Sequence, residues 1–164
     1  MTFWTSPELE PLRKFRFKVQ FGNDVMWWAK SVTQPSPDVS VSEHQLINHK
    51  IKYPGIVTWN DIDITFVDTG NEGKNLMTDL ELYGYDTDGS EDGLKKNFPG
   101  FRTQPPRPLF NLLITKINSH GHKLETWTLI NPFIKAIKYG DLDYSSDELV
   151  EITLTVAYDS ATLD

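Results

Sequence analysis

The sequence has no cysteine in its 164 residues, which excludes a disulfide framework, a thiol nucleophile and a cysteine-based metal centre. It is also poor in basic residues. Sixteen Lys and Arg stand against 23 Asp and Glu, for a net charge of −7 and a pI near 5.0. A protein that grips phosphates needs clustered positive charge, so that class is excluded, although a protein that only lets DNA pass is not. No apolar run is long enough to span a bilayer, and MTFWTSPELEPLRKF shows no basic segment leading into an apolar one. Neither a membrane anchor nor a secretory leader is expected, and the absence of cysteine fits folding in a reducing cytoplasm.

Chemical motifs are scarce as well. There is no G-x-S-x-G elbow, and without cysteine no nucleophile is suggested. Gly70 to Lys74 fails the phosphate-loop spacing, because Asp68 stands where the first glycine belongs. Asp86 to Asp92 alternates oxygen ligands as calcium loops do, but Glu91 and Asn97 occupy the positions that need glycine and glutamate. His120 and His122 straddle a turn glycine with no third ligand nearby. The pairs Asp61/Asp63 and Asp141/Asp143 read as solvated strand or turn residues, since paired acids need a pocket to shift their pKa. No catalytic residue, metal site or cofactor is expected.

What the sequence does have is alternation. In the last third, Val150, Ile152, Leu154, Val156 and Tyr158 fall on one face and Glu151, Thr153, Thr155 and Ala157 on the other, the pattern of a half-buried strand. Ile130 to Tyr139 pairs with it across a turn containing Gly140-Asp141 and Ser145-Ser146-Asp147. Lys14 to Phe21 alternates too, with Phe15, Phe17, Val19 and Phe21 facing inward and Lys14, Arg16 and Lys18 forming a basic outer stripe. Val25 to Val32 is expected to return as its hairpin partner around Gly22-Asn23-Asp24. Val57 to Asp68 reads as one strand, with Ile62, Ile64 and Phe66 inward and Asp61, Asp63 and Thr65 outward. Leu109 to Ile117 and Lys123 to Leu129 make a further hairpin. Gly70 to Tyr85 is the one convincing helix, its apolar stripe running through Leu76, Met77, Leu80 and Tyr83.

These segments predict roughly seven strands and one flanking helix in a mainly β, antiparallel sandwich or barrel, one domain over 1–164. The expected core is Phe15, Phe17, Val19, Ile62, Ile64, Phe66, Leu76, Leu80, Val150, Ile152, Leu154 and Val156. Residues 1–12 read as an N-terminal arm carrying Phe3 and Trp4, and 86–108 as a proline-rich surface loop. Between two core strands lies a long polar excursion, 36–56, closed by a turn at Pro54-Gly55; connections of that length are often functional.

The pattern NPFIKAIKYGDLDYSSDELVEITLTVAYD resembles the C-terminal hairpin of the phage tail tube family. Lys52-Tyr53-Pro54-Gly55 and Ile62-Asp63-Ile64-Thr65 resemble that family's turn and following strand. The resemblance implies hexameric rings that stack into a tube, with sheets merging across subunits into a shared inner β-barrel whose bore carries double-stranded DNA without binding it. It implies that the excursion reaches the adjacent ring through Gln45, Leu46, Ile47, Lys50 and Tyr53. It also implies sheath, tape-measure and baseplate or tube-initiator proteins as partners, and a virion tail assembled in the host cytoplasm as location, with no membrane and no small ligand. A conduit should have a lining that is polar and neutral to negative, so that it repels phosphates; Glu151, Thr153 and Thr155 are the expected lumen face, with Asp61, Asp63 and Thr65 either a second lining or an outer wet face. Tube-fold relatives include baseplate initiators, bacterial contractile secretion tubes and extracellular injection particles. The residues also allow a different class, a monomeric sandwich binding a ligand through Trp27, Trp28, Trp59 and Trp127.

Overall fold

The computed structural model describes residues 11–22, 24–82 and 111–164. Residues 1–10 of the expected arm 1–12 and the loop 86–108 lie outside them, as do Tyr83 and the side chain of Leu80. Eleven strands and one helix are present among the described residues: β1 (Phe17–Phe21), β2 (Asp24–Met26), β3 (Ala29–Val32), β4 (Pro37–Leu46), β5 (His49–Trp59), β6 (Ile62–Val67), α1 (Glu72–Leu82), β7 (Leu112–Ile117), β8 (Lys123–Ile130), β9 (Phe133–Tyr139), β10 (Glu151–Ala157) and β11 (Ser160–Leu163). They form a five-stranded sheet in the order β11-β8-β7-β1-β2, a four-stranded sheet in the order β3-β6-β10-β9, and a separate two-stranded ribbon, β4-β5. All pairings are antiparallel.

The core lies between the two larger sheets. Val19, Ile62, Ile64, Phe66, Leu112, Ile152, Leu154 and Val156 are wholly buried, joined by Ile114, Leu129, Ile134 and Tyr158. Alternation does this: Ile62, Ile64 and Phe66 in β6 lie opposite Val156, Leu154 and Ile152 in β10, so apolar side chains of both strands point the same way. Phe17 and Leu76 are half-buried and pack on this core. Helix α1 starts where Asp68 accepts the Gly70 N–H (2.8 Å) and Thr69 Oγ1 donates to Glu72 (3.2 Å). Its first turn is anchored to the four-stranded sheet by Tyr139, whose hydroxyl donates to the Gly73 carbonyl (3.1 Å).

Several expectations are corrected. Phe15 is 74% exposed rather than core; a turn closed by Arg16 N–H to the Arg13 carbonyl ends the strand before it, and the Arg16 guanidinium lies over its ring. Val150 is half-buried, outside the core cluster, just ahead of β10. Val25 to Val32 is not one hairpin partner: β2 stays with β1, while β3 crosses at Trp27-Trp28 to pair with β6 in the other sheet. Val57 to Asp68 is also divided, because Asn60 turns the chain through bonds to Ser36 and Asp38. Pro54-Gly55 is not a turn but a bulge within β5, opposite Val39–Val41; the turn falls at Ile47-Asn48. There the excursion forms an exposed hairpin rather than a loop. The terminal strand β11 has no counterpart in the sequence reading.

Candidate functional site

Glu151, Thr153 and Thr155 alternate with the buried Ile152, Leu154 and Val156, so they must stand on the outward face of the four-stranded sheet. Register places Thr65 opposite Thr153 and Asp63 opposite Thr155. The two polar faces read separately from the sequence are therefore one surface. A ladder of contacts runs across it: the Thr65 and Thr153 hydroxyls lie 3.3 Å apart and Thr155 donates to Asp63 (2.7 Å). At one end Lys30 pairs with Glu151, and at the other Lys135 pairs with Asp61 at 2.5 Å. The hydrogen bond and charge of Glu151 raise the pKa of Lys30, and those of Asp61 raise that of Lys135. Both lysines thus stay charged. Lys138, opposite Thr153, brings the local cations to three, matching Asp61, Asp63 and Glu151. The face is polar and charge-balanced.

A second surface is the ribbon. It pairs with neither larger sheet, and all of β4 and most of β5 is exposed. Ten residues of strand reach about 33 Å. The bulge that twists it depends on Gly55: a Cβ there would strike Ser40 Oγ, which instead accepts the Ile56 N–H (2.9 Å). Beyond the bulge, pairing sorts the side chains. Val41, Glu43, Gln45, Lys50, Lys52 and Pro54 share one face, with Glu43 between Lys50 (3.6 Å) and Lys52 (3.7 Å). Tyr53, His44, Ile51, Leu46 and His49 take the other. Ile47 caps the tip, 97% exposed. The five residues expected to meet a neighbour are thus split between the two faces and the tip.

An isolated hairpin is marginally stable in water, and this one carries Val39, Val41, Leu46, Ile47, Tyr53, Ile56 and Val57 in the open. Exposed apolar surface of this extent marks a contact with another molecule. Among the described residues the sandwich has unpaired edge strands on both sides: β2 and β3, joined by Trp27-Trp28, on one, and β11 and β9 on the other. Edges left unpaired in this way invite pairing with another chain.

Trp27, Trp28, Trp59 and Trp127 do not form a common ligand surface. Trp59 packs on the core, its ring 6.0 Å from that of Tyr158, and Trp127 is half-buried there too. Trp27 and Trp28 are exposed at the crossing between sheets. Among the described residues no three His, Asp or Glu side chains gather as a metal site, and the His120 and His122 rings stack 6.2 Å apart on the β7–β8 turn. No helix of the described residues is long and apolar enough to cross a membrane.

Neither a family model nor a curated protein matches the sequence. Solved structures do match, over nearly the whole chain. The sheath/tube terminator of an extracellular contractile injection system, PVC, shares 16% identity over 94% of this chain and 97% of its own, with a TM-score of 0.73. The tube-terminating cap of the anti-feeding prophage shares 18% identity over 94% and 91%, with a TM-score of 0.71.

The fold is that of a tube protein.

A phage example, the SPP1 tail tube, shows the same fold at greater distance: 13% identity, 94% of this chain and 79% of that one, TM-score 0.53. The similar proteins are structural parts of tubes. Within the tube fold, the surfaces left open here are sheet edges, an outward polar face and a projecting ribbon.

Proposed function

We propose that this chain is a ring-forming subunit of the tube of a contractile injection machine. The observation that carries the reading is the pairing of a sandwich with two open sides and an exposed apolar ribbon on a tube fold. A subunit with unpaired edges on opposite sides associates head to tail, and such an interface closes into a ring when its rotation allows. In a hexameric ring, the four-stranded sheets join edge to edge into an inner barrel, which removes the exposed edges. Glu151, Thr153, Thr155, Asp63 and Thr65 then line the bore, while the ribbon engages the next ring through Gln45, Leu46, Ile47, Lys50 and Tyr53. Sheath and baseplate-type proteins are the partners that such a tube requires, with a tape-measure protein in the phage form.

The balanced charge of the lining suits a conduit. Such a face neither condenses on phosphates nor strongly repels them, so double-stranded DNA in a phage tail, or a polypeptide cargo in an extracellular particle, passes without being held. The higher structural similarity to the extracellular systems supports that machine over a phage tail.

Two experiments test the reading. Sedimentation of the concentrated protein should show a species of about six subunit masses; a single species of 18.8 kDa at every concentration counts against rings. Changing Glu151, Thr153 and Thr155 together to lysine should leave assembly intact but make the tubes retain DNA in a salt-dependent manner. Tubes that retain no more DNA than the parent protein would mean that this face points elsewhere.

A further inference from the structure

The β9–β10 connection, residues 140–150, is unlike an ordinary solvated loop. Leu142, Tyr144 and Leu149 are 84%, 111% and 71% exposed, around a concavity that also involves Lys30, Val150 and Glu151. Its charges are all of one sign: Asp141, Asp143, Asp147 and Glu148, with no Lys or Arg between 140 and 150. Its shape is set internally. The Asp143 carboxylate accepts from both the Ser145 N–H (2.9 Å) and the Ser145 hydroxyl (2.8 Å), and Ser146 Oγ accepts from the Glu148 N–H (3.3 Å). A loop already held in turns loses little entropy on being covered.

Strand register fixes where this loop lies. It leaves the four-stranded sheet at Tyr139 and returns at Glu151, the end where Glu151 faces Val67. The ribbon leaves the same sheet at its other end, between Val32 of β3 and Ile62 of β6, where Ile62 faces Val156. One copy therefore projects an apolar tip, Leu46 and Ile47, with Lys50 and Lys52 on the ribbon face away from Leu46, from the end opposite a concavity where Leu142, Tyr144 and Leu149 stand among acids and Lys30. Apolar side chains and opposite charges are thus available at the two ends, arranged head to tail.

We propose that the β9–β10 loop is the acceptor for the β4–β5 ribbon of a second copy of this chain. The inference rests on the stacked-ring reading and adds to it the surface that receives the ribbon. Ile47 and Leu46 lie against Leu142, Tyr144 and Leu149, and Lys50 and Lys52 face Asp141, Asp147 and Glu148. Opposite charges at such a contact set its register as well as its strength.

The native absence of cysteine makes a direct test possible. Ile47→Cys and Tyr144→Cys are made in separate chains, mixed at assembling concentration and oxidised. A disulfide joining the two variants is expected, and a control pairing Ile47→Cys with His120→Cys on the β7–β8 turn should give none. No Ile47–Tyr144 disulfide, or equal yield in the control, overturns the proposal. Charge reversal is the second arm. Changing Asp141, Asp147 and Glu148 together to lysine should give rings that no longer stack, and adding Lys50→Glu and Lys52→Glu should restore tubes. Tubes that form unimpaired from the loop variant alone would refute the acceptor. If the parent protein formed no rings at all, the ring reading would fall separately, while the cross-link would still decide whether ribbon and loop meet.

Discussion

At the scale of single residues, the positions that matter most are those where the backbone has little choice. Asn131, before Pro132 at the β8–β9 turn, has φ of 52°, a left-handed conformation that asparagine tolerates better than other Cβ-bearing residues. Its amide also donates to the Asp159 carboxylate (2.8 Å), tying that turn to the end of β10. Asn131→Ala loses both advantages and should destabilise the subunit by roughly 1–2 kcal/mol in urea unfolding. Asn131→Gly should recover the backbone part; equal loss in the two would show that the side-chain bond dominates. The lysines of the polar face behave differently. The folded-state pKa of Lys30 and Lys135 is raised above 10.5, so any stability they give is present at neutral pH and lost only in alkali above that value. Exposed pairs contribute little in any case. Lys30→Ala should leave the melting temperature unmoved from mild acid to pH 9, and a clear drop near neutrality would contradict this view of the face.

At the scale of elements, the ribbon is separable from the sandwich. It forms its own two-stranded sheet and touches the core only at its base, through Trp59. Replacing Leu46 and Ile47 with glutamate should therefore leave the subunit's unfolding midpoint unchanged while stopping rings from stacking. A variant that still formed long tubes would remove the ribbon from the inter-ring contact. This is also the scale at which the sequence was most and least legible. β6 and β10 could be read nearly residue by residue, because one face is buried and period-two alternation reports burial directly. Alternation does not report which sheet a strand joins, so the crossing at Trp27-Trp28 went unseen between two apolar segments. Pro54-Gly55 carries the chemistry of a turn, yet Gly55 serves a bulge against Ser40, a cross-strand contact invisible in local sequence. The ribbon is polar and weakly patterned because neither of its faces is buried within one subunit. Ser160–Leu163 is too short and too polar to declare itself, and becomes a strand because Ser160 to Leu163 pair with Ile130 to Trp127. The polar ladder was legible as two faces; only register showed that they are one.

At the scale of the whole molecule, the subunit reads as an incomplete object. Among the described residues two sheets bury a well-formed core, yet edge strands remain unpaired on both sides, and nearly twenty large apolar side chains are exposed, including Trp27, Ile47 and Tyr144. A monomer would gain by covering them, and the proposed rings and stacks are the kind of assembly that would do so. The most direct test of this account is negative-stain electron microscopy of the purified chain over a concentration series. Hollow rings, and at higher concentration stacked tubes with a continuous central channel, are the predicted result. Isolated particles of single-subunit size at every concentration would contradict it.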